Sequence, residues 1–550
     1  MSAPTPPGPA DAVPGGDIAA LAKGGQTNFI GFLLRLVARM PFLLLGGRLY
    51  GAEALGRFAS ALVVVELVAL LCSIGEKRGL AQRLSDAPGA DPGGSDPSRP
   101  SPSGPEPSGP DAASREPQLV ADGMAVALIL SLAAAAVLWL VPAPLFPSGS
   151  YTWADRLIVL AIPAYALTEI ALAAQAYRFD IAATVRARAI VEPWTISILA
   201  GLFWLAEPTR ASGLALAYLA SVYAGLAAAL VPFARTYGIP RGYRPGLKRL
   251  GRLTWRALPL AGADAIEWGT RRLDIFALGL FASPAAVGVY YVAQQVASLP
   301  QKLKTSFEPI LAPVLTRNIK AHDYAAIARQ VCQVGFWITA AQAGVALALG
   351  IPGHAIMGLA GPNFVGGNGA LVLLLAAEVA AATAVVAESA LIYVARMRNL
   401  LISLATIALQ AGLTVAAMLA ANAWGLSDYA RASLAAAALL VALGCSSLAK
   451  ALLLSSILGE PVNNWRWSLL LAAGAALVIG QLVLLLPEWA ELILGVPAIL
   501  GVYGWVVWSR GFGPEDRMLF TRRVTNPAGE DARPPRDGDQ GRLPSGAPPS

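Results

Sequence analysis

The chain is short of charge. Only 14% of its 550 residues are Asp, Glu, Lys or Arg, against about 25% in an ordinary soluble domain. Hydrophobic residues make up 56%, and the mean hydropathy is +0.58. That balance excludes a soluble globular protein and specifies a polytopic membrane protein. Histidine is scarce too: His322 and His354 stand alone in connections. With no HExxH, CxxC or catalytic-triad pattern, hydrolytic and metal-assisted chemistry have no residues to rest on. The three cysteines, Cys72, Cys332 and Cys445, fall in apolar runs with no close pair. They exclude a disulfide framework or zinc pattern and read as small buried residues. The first 22 residues are rich in proline and glycine and lack a basic stretch before an apolar core. No cleavable leader is therefore expected, and the first span should act as its own insertion signal. The pI of about 9.4 does not indicate nucleic acid, because the cations are spread along the connections rather than gathered in one patch.

What the chain has in quantity is apolar segments. A span needs about 20 mainly apolar residues. The pattern predicts an all-α protein of about 14 spans, at 27–49, 57–75, 119–146, 154–177, 182–205, 211–234, 253–281, 284–312, 323–350, 366–394, 399–421, 430–456, 466–486 and 490–508. Lysine and arginine alternate across the connections. One side carries Lys77, Arg78, Arg83, Arg178, Arg186, Arg188, Arg235, Arg241, Arg244, Lys248, Arg249, Arg252, Arg317, Lys320, Arg396, Arg398, Lys450 and Arg466. The other side carries little beyond Arg210 and Arg431, with Arg48 and Arg57 bracketing its first turn as the exception. The alternation places both termini in the cytoplasm. Residues 1–22, 85–117 and 511–550 are dominated by Pro, Gly, Ser and acid, cannot bury a core, and are expected to be a disordered arm, insert and tail.

A repeat is visible. LYGAEALGRFASA (49–61) and FASPAAVGVYYVA (281–293) each form an outer-face turn entering a helix. A shift of 232 pairs Gly56 with Gly288, Phe58 with Tyr290 and Ala61 with Ala293. The same shift sets Arg39 on Arg271 and Arg35 on Glu267. The copies lie six spans apart, so they keep one orientation, as in a parallel repeat about an axis along the membrane normal. The expected organisation is an N-lobe (23–236), a basic linker (237–252), a C-lobe (253–460) and two added spans (464–508).

The segment DAIEWGTRRLD (264–274) carries five ionisable side chains inside an apolar run. At 100° per residue Asp264, Glu267, Arg271 and Asp274 share an arc of roughly 80°, with Arg272 off it. Four such groups facing lipid would cost roughly 10 kcal/mol or more, so they face protein or water. Arg35 and Arg39, one turn apart in the first span, repeat the feature, with Glu66 as a partner. Two readings fit: buried ion pairs between helices, or a charged cavity between lobes whose excess cation (Arg35, Arg39, Arg271, Arg272) suits a phosphate. Gln294 and Gln295 are weaker polar candidates. Glu378 and Glu388, and again Glu66, are candidates for proton coupling. GPNFVGGNG (361–369) lacks the lysine and the preceding strand of a phosphate loop and reads as an outer turn.

Three stretches carry a family resemblance: LGGRLYGAEALGRFASALVVVELVALLCSIG, RRLDIFALGLFASPAAVGVYYVAQQVASLPQKLKTSFEPILAPVLTR, and GLAGPNFVGGNGALVLLLAAEVAAATAVVAESALIYVARMRN. They resemble the first hairpin, the seventh and eighth helices, and the tenth helix of the oligosaccharide flippases. These form the polysaccharide-transporter branch of the multidrug/oligosaccharidyl-lipid/polysaccharide exporter superfamily. The resemblance covers most of 25–505, and the insert at 85–117 departs from it. It implies two bundles around a central cationic cavity with Arg35, Arg39 and Arg271 as cavity arginines, matched by helix and depth. It further implies alternating access for a lipid-linked oligosaccharide in the bacterial cytoplasmic membrane, and no enzyme activity. The energy source would be an ion gradient (H+ or Na+) rather than a nucleotide, and the partners membrane lipid and a polysaccharide polymerase or assembly proteins. A multidrug/cation antiporter of the same superfamily, a polysaccharide polymerase or membrane glycosyltransferase, and a non-transporting scaffold remain open. Few arginines would suit the antiporter, and a large outer loop the polymerase; neither is found.

Overall fold

The computed structural model describes residues 40–85, 115–178, 180–238, 243, 245–301, 323–513 and 516. Arg35 and Arg39, most of the 85–117 insert and nearly all of both terminal segments lie outside these. Among the described residues the chain is helical throughout. Residues 40–50 (α1) lead into Gly51–Cys72 (α2), Glu76–Ser85 (α3), Arg115–Leu140 (α4), Asp155–Tyr177 (α5), Ile181–Leu205 (α6) and Gly213–Tyr237 (α7). The second half runs Leu247–Phe281 (α8), Pro284–Gln301 (α9), Tyr324–Gly350 (α10), Gly353–Ala360 (α11), Asn368–Val394 (α12), Arg396–Ala423 (α13) and Asp428–Leu458 (α14). Trp467–Val483 (α15) and Glu488–Gly511 (α16) follow. Ten helical segments among the described residues are long and apolar enough to cross a membrane. The chain is a polytopic all-α membrane protein.

Local chemistry sets the boundaries. The predicted first turn shrinks to one residue: Gly51 takes φ 81°, ψ 176°, a conformation open to glycine, and α2 starts there rather than at 57. Asp180, Asp323 and Ser427 accept hydrogen bonds from the backbone N–H groups of Ala183, Ala326 and Ala430, capping α6, α10 and α14. Gly459 closes α14 in the left-handed region. Two expectations need correction. Residues 76–85 are not a plain basic connection but a helix, with Arg83 paired to Glu76. Residues 237–252 are not a linker throughout, because α8 begins at Leu247 and spans 35 residues. The shift arises because Leu250 and Ala257 bury against Ile74 and Val126, so packing extends the helix past the apolar run.

Within the first half α7 packs on α5 and α6, and α5 on α4; within the second, α14 packs on α12 and α13, and α12 on α10. The two halves thus repeat one arrangement. Helices α15 and α16 pack on each other and on α10, at the edge of the second half. Between the halves the main contact is α2 against α9. A Cβ added at Gly56 would lie 1.6 Å from the Pro284 carbonyl oxygen, and one at Gly288 would lie 2.0 Å from that of Ala52. Both the glycines (56 and 288) and their partners (52 and 284) differ by the repeat shift of 232. The contact is therefore isologous: each copy presents the same patch to the other about a local two-fold axis. Phe58 sits beside it, its ring edge-on to Phe42 and Tyr218 at 5.7 Å and to Tyr291 at 6.5 Å.

Candidate functional site

The charged groups of α8 part ways in three dimensions. Asp274 is fully buried. It accepts a hydrogen bond from the Tyr290 hydroxyl at 2.6 Å, from the Ile275 backbone N–H at 2.9 Å and from Gln294 Nε2 at 3.1 and 3.2 Å. Enclosed in this way it ties α8 to α9. Asp264 is buried as well. The side chain of Glu267 lies outside the described set. Arg271 is exposed, and Gln294 Nε2 also donates to its carbonyl oxygen at 3.1 Å. Leu280, nine residues on and so about 180° around the helix, is 53% exposed. Leu280 thus faces outward, whereas Arg271 opens on the opposite side, toward α9.

Arg272 bridges the lobes. Its Nε lies 3.7 Å from a Glu66 oxygen on α2, and its Nη1 donates to Gln294 Oε1 at 2.9 Å. Glu66 is placed against Arg272; the first-span arginines expected as its partners lie outside the described residues. Arg272 is therefore compensated and contributes less excess cation than its sequence position suggests. From Glu66 to Tyr290 the chain of contacts runs through Arg272, Gln294 and Asp274 across α2, α8 and α9.

A second cluster lies within the first half. Arg188 on α6 pairs with Glu169 on α5, and its Nη1 donates to Glu192 at 2.7 Å; its guanidinium sits 4.5 Å above the Tyr165 ring. In the sequence Arg188 reads as a connection cation that helps set orientation. The structure corrects this: it is held between two acids and is only 11% exposed. Lys450 is corrected likewise, since it is buried on α14 with its Nζ 3.1 Å from Glu388 on α12. Glu378 is half-buried on α12. Glu169, Glu192, Tyr165 and Tyr290 were missed because each is a lone polar residue in an apolar run. The one available signal was Arg188 and Glu192 at i, i+4.

Two further acids anchor segments that lie outside the membrane-crossing helices. Asp122 on α4 accepts from Arg249 Nη2 at 2.6 Å and from the Tyr243 hydroxyl at 2.8 Å. Burial, with the Asp122 charge and hydrogen bond, pushes the Tyr243 hydroxyl up to about 12. Asp516 accepts from Arg466 Nη1 at 2.8 Å, Trp337 Nε1 at 2.8 Å, Gln333 Nε2 at 3.3 Å and Gly513 N–H at 2.9 Å. Burial opposes its ionisation, but these four donors outweigh it and hold the carboxyl below its ordinary value.

Two repeated helical bundles are joined by close glycine contacts and by an ion pair between α2 and α8. The fold is similar to those of solved transporters of the multidrug/oligosaccharidyl-lipid/polysaccharide (MOP) superfamily. It is similar to the lipid II flippase MurJ in an inward closed conformation (TM-score 0.62, 11% identity, 89% of this chain and 99% of that one). It is also similar to a multidrug resistance MATE family transporter in an inward-facing conformation (TM-score 0.59, 13% identity, 78% and 95%). A MOP superfamily transporter from Pyrococcus furiosus, described as having a binding pocket of reversed polarity, matches with a TM-score of 0.51 at 13% identity, over 80% of this chain and 96% of that one. No family model and no curated protein matches the sequence.

Proposed function

We propose that this chain is a flippase that moves a polyprenyl-diphosphate-linked oligosaccharide, a capsule, O-antigen or exopolysaccharide unit, across the bacterial cytoplasmic membrane by alternating access. Both termini face the cytoplasm, and membrane lipid and a polysaccharide polymerase or assembly proteins are its partners. The observation that carries the reading is on α8: Arg271 is exposed on the side away from the outward-facing Leu280. Guanidinium groups suit phosphate oxygens through their planar fork of donors. Next to it, Arg272 holds Glu66 at 3.7 Å from the other lobe. A diphosphate entering between the lobes would compete with Glu66 for Arg272 and loosen the tie between them. That gives the substrate a differential affinity for the parted state, which alternation requires.

The coupling ion enters through the acids. Glu66, Glu169 and Glu192 face two guanidiniums, Arg188 and Arg272, among the described residues. Glu378 and Glu388 are the second-half candidates, Glu388 being held by Lys450. The same excess of acid favours the second reading, a multidrug/cation antiporter. The two readings separate in one assay. Arg271→Ala should abolish export of lipid-linked sugar, leave membrane abundance normal and leave drug efflux at the level of cells without the protein. Arg271→Lys should restore part of the export. Wild-type protein that exports a cationic drug but no lipid-linked sugar would overturn the flippase reading. An Arg271→Ala protein lost from the membrane would assign the residue to structure.

A further inference from the structure

We propose that the first three turns of α8 form a binding surface for anionic phospholipid headgroups. The surface is independent of the transport reading above. Lys248, Arg252 and Arg256 stand at i, i+4 and i+8, one stripe along the helix, and all three are exposed. Gly251 and Trp255 lie within the same stripe, Trp255 76% exposed. One side of the helix is fixed, where Leu250 and Ala257 bury against Ile74 and Val126, and at the edge of the stripe Arg249, at nearly the same helical angle as Arg256, reaches Asp122 at 2.6 Å. The helix therefore cannot roll to bring its cations into the protein. They stay outward.

The outward side changes character at Arg256. Beyond it come Leu258, 54% exposed, then Pro259 and Gly262, both exposed, and last Leu280 at 53%. From Leu258 to Leu280 the helix rises about 33 Å at 1.5 Å per residue, which matches a hydrocarbon core of about 30 Å. The cationic stripe thus begins where that core ends, at headgroup depth, with Trp255 at the boundary where aromatic residues collect. Cations at that depth attract anionic lipid. The register assigns the stripe to headgroups of the surrounding leaflet rather than to the level of Arg271, because Arg256, the stripe cation nearest to it, lies about 22 Å away along the helix. On the proposed orientation the leaflet is the cytoplasmic one.

The test uses the full chain reconstituted in vesicles of equal phosphatidylcholine and phosphatidylglycerol, then extracted for native mass spectrometry of the lipids it retains. Wild type should retain phosphatidylglycerol preferentially. Lys248→Gln/Arg252→Gln/Arg256→Gln should lose that preference by on the order of 100-fold, about fivefold per cation. Lys248→Arg/Arg252→Lys/Arg256→Lys should keep it, which separates charge from folding. A triple glutamine variant as selective as wild type would overturn the proposal, and so would loss of selectivity in the charge-keeping variant. A parallel arm uses farnesyl diphosphate in phosphatidylcholine vesicles. If its retention depends on the stripe while that of phosphatidylglycerol does not, the stripe handles a diphosphate cargo and the headgroup assignment fails.

Discussion

The reciprocal glycine contact makes a quantitative demand. A Cβ at Gly56 would sit 1.6 Å from the Pro284 oxygen, and real Cβ contacts begin near 3.0 Å. Gly56→Ala therefore forces α2 and α9 apart by the difference, about 1.4 Å, since both obstructing atoms are backbone. At Gly288 the gap is 2.0 Å, and the required separation is about 1.0 Å. Overpacking of this kind costs roughly 1–3 kcal/mol. Because the two contacts are related by the repeat, the shift that admits one methyl group admits the other. The double variant Gly56→Ala/Gly288→Ala should then cost less than its two single variants summed, by about 0.5–3 kcal/mol, as expected of coupled neighbours. The assay is thermal unfolding of the four proteins in one detergent, set out as a double-mutant cycle. Strict additivity, or single variants as stable as wild type, would refute the isologous packing of α2 on α9.

The ion pair across the lobes should behave as a buried pair. Arg272→Met alone should cost roughly 3–5 kcal/mol by stranding Glu66, while Glu66→Gln/Arg272→Met should recover much of that in thermal unfolding; equal losses would place Glu66 in another interaction. Asp516→Asn should free the segment after α16, read as faster proteolysis beyond residue 511; unchanged cleavage would show that Arg466 holds the segment through the Gly511 carbonyl alone, a contact of 2.6 Å. The Asp516 carboxyl is depressed below its ordinary value of 3.8. Its contribution is therefore present above that pH and is lost as the pH falls through the lower folded value. Protection of the segment should disappear in that acid range, and protection that weakened above pH 5 would point to another group.

The apolar segments could be read off the chain because lipid gives the backbone no hydrogen-bond partner, so each long apolar run has to be a helix. The same physics made α4, α7, α10, α12 and α14 visible to within a few residues. The repeat was visible because two glycines stood at equal offsets in two helices. Only the packed structure showed that those glycines touch each other, since contact depends on how the lobes dock and not on spacing. The site divided in the same way. Periodicity places Asp264, Arg271 and Asp274 on one arc of α8. It could not tell that Asp274 is enclosed by Tyr290 and Gln294 while Arg271 is exposed, because that depends on where α9 crosses. Nor could composition separate Arg188 and Lys450 from the connection cations. Their acids, Glu169 and Glu388, come from other helices, and a charge is buried or exposed according to partners that only tertiary packing supplies.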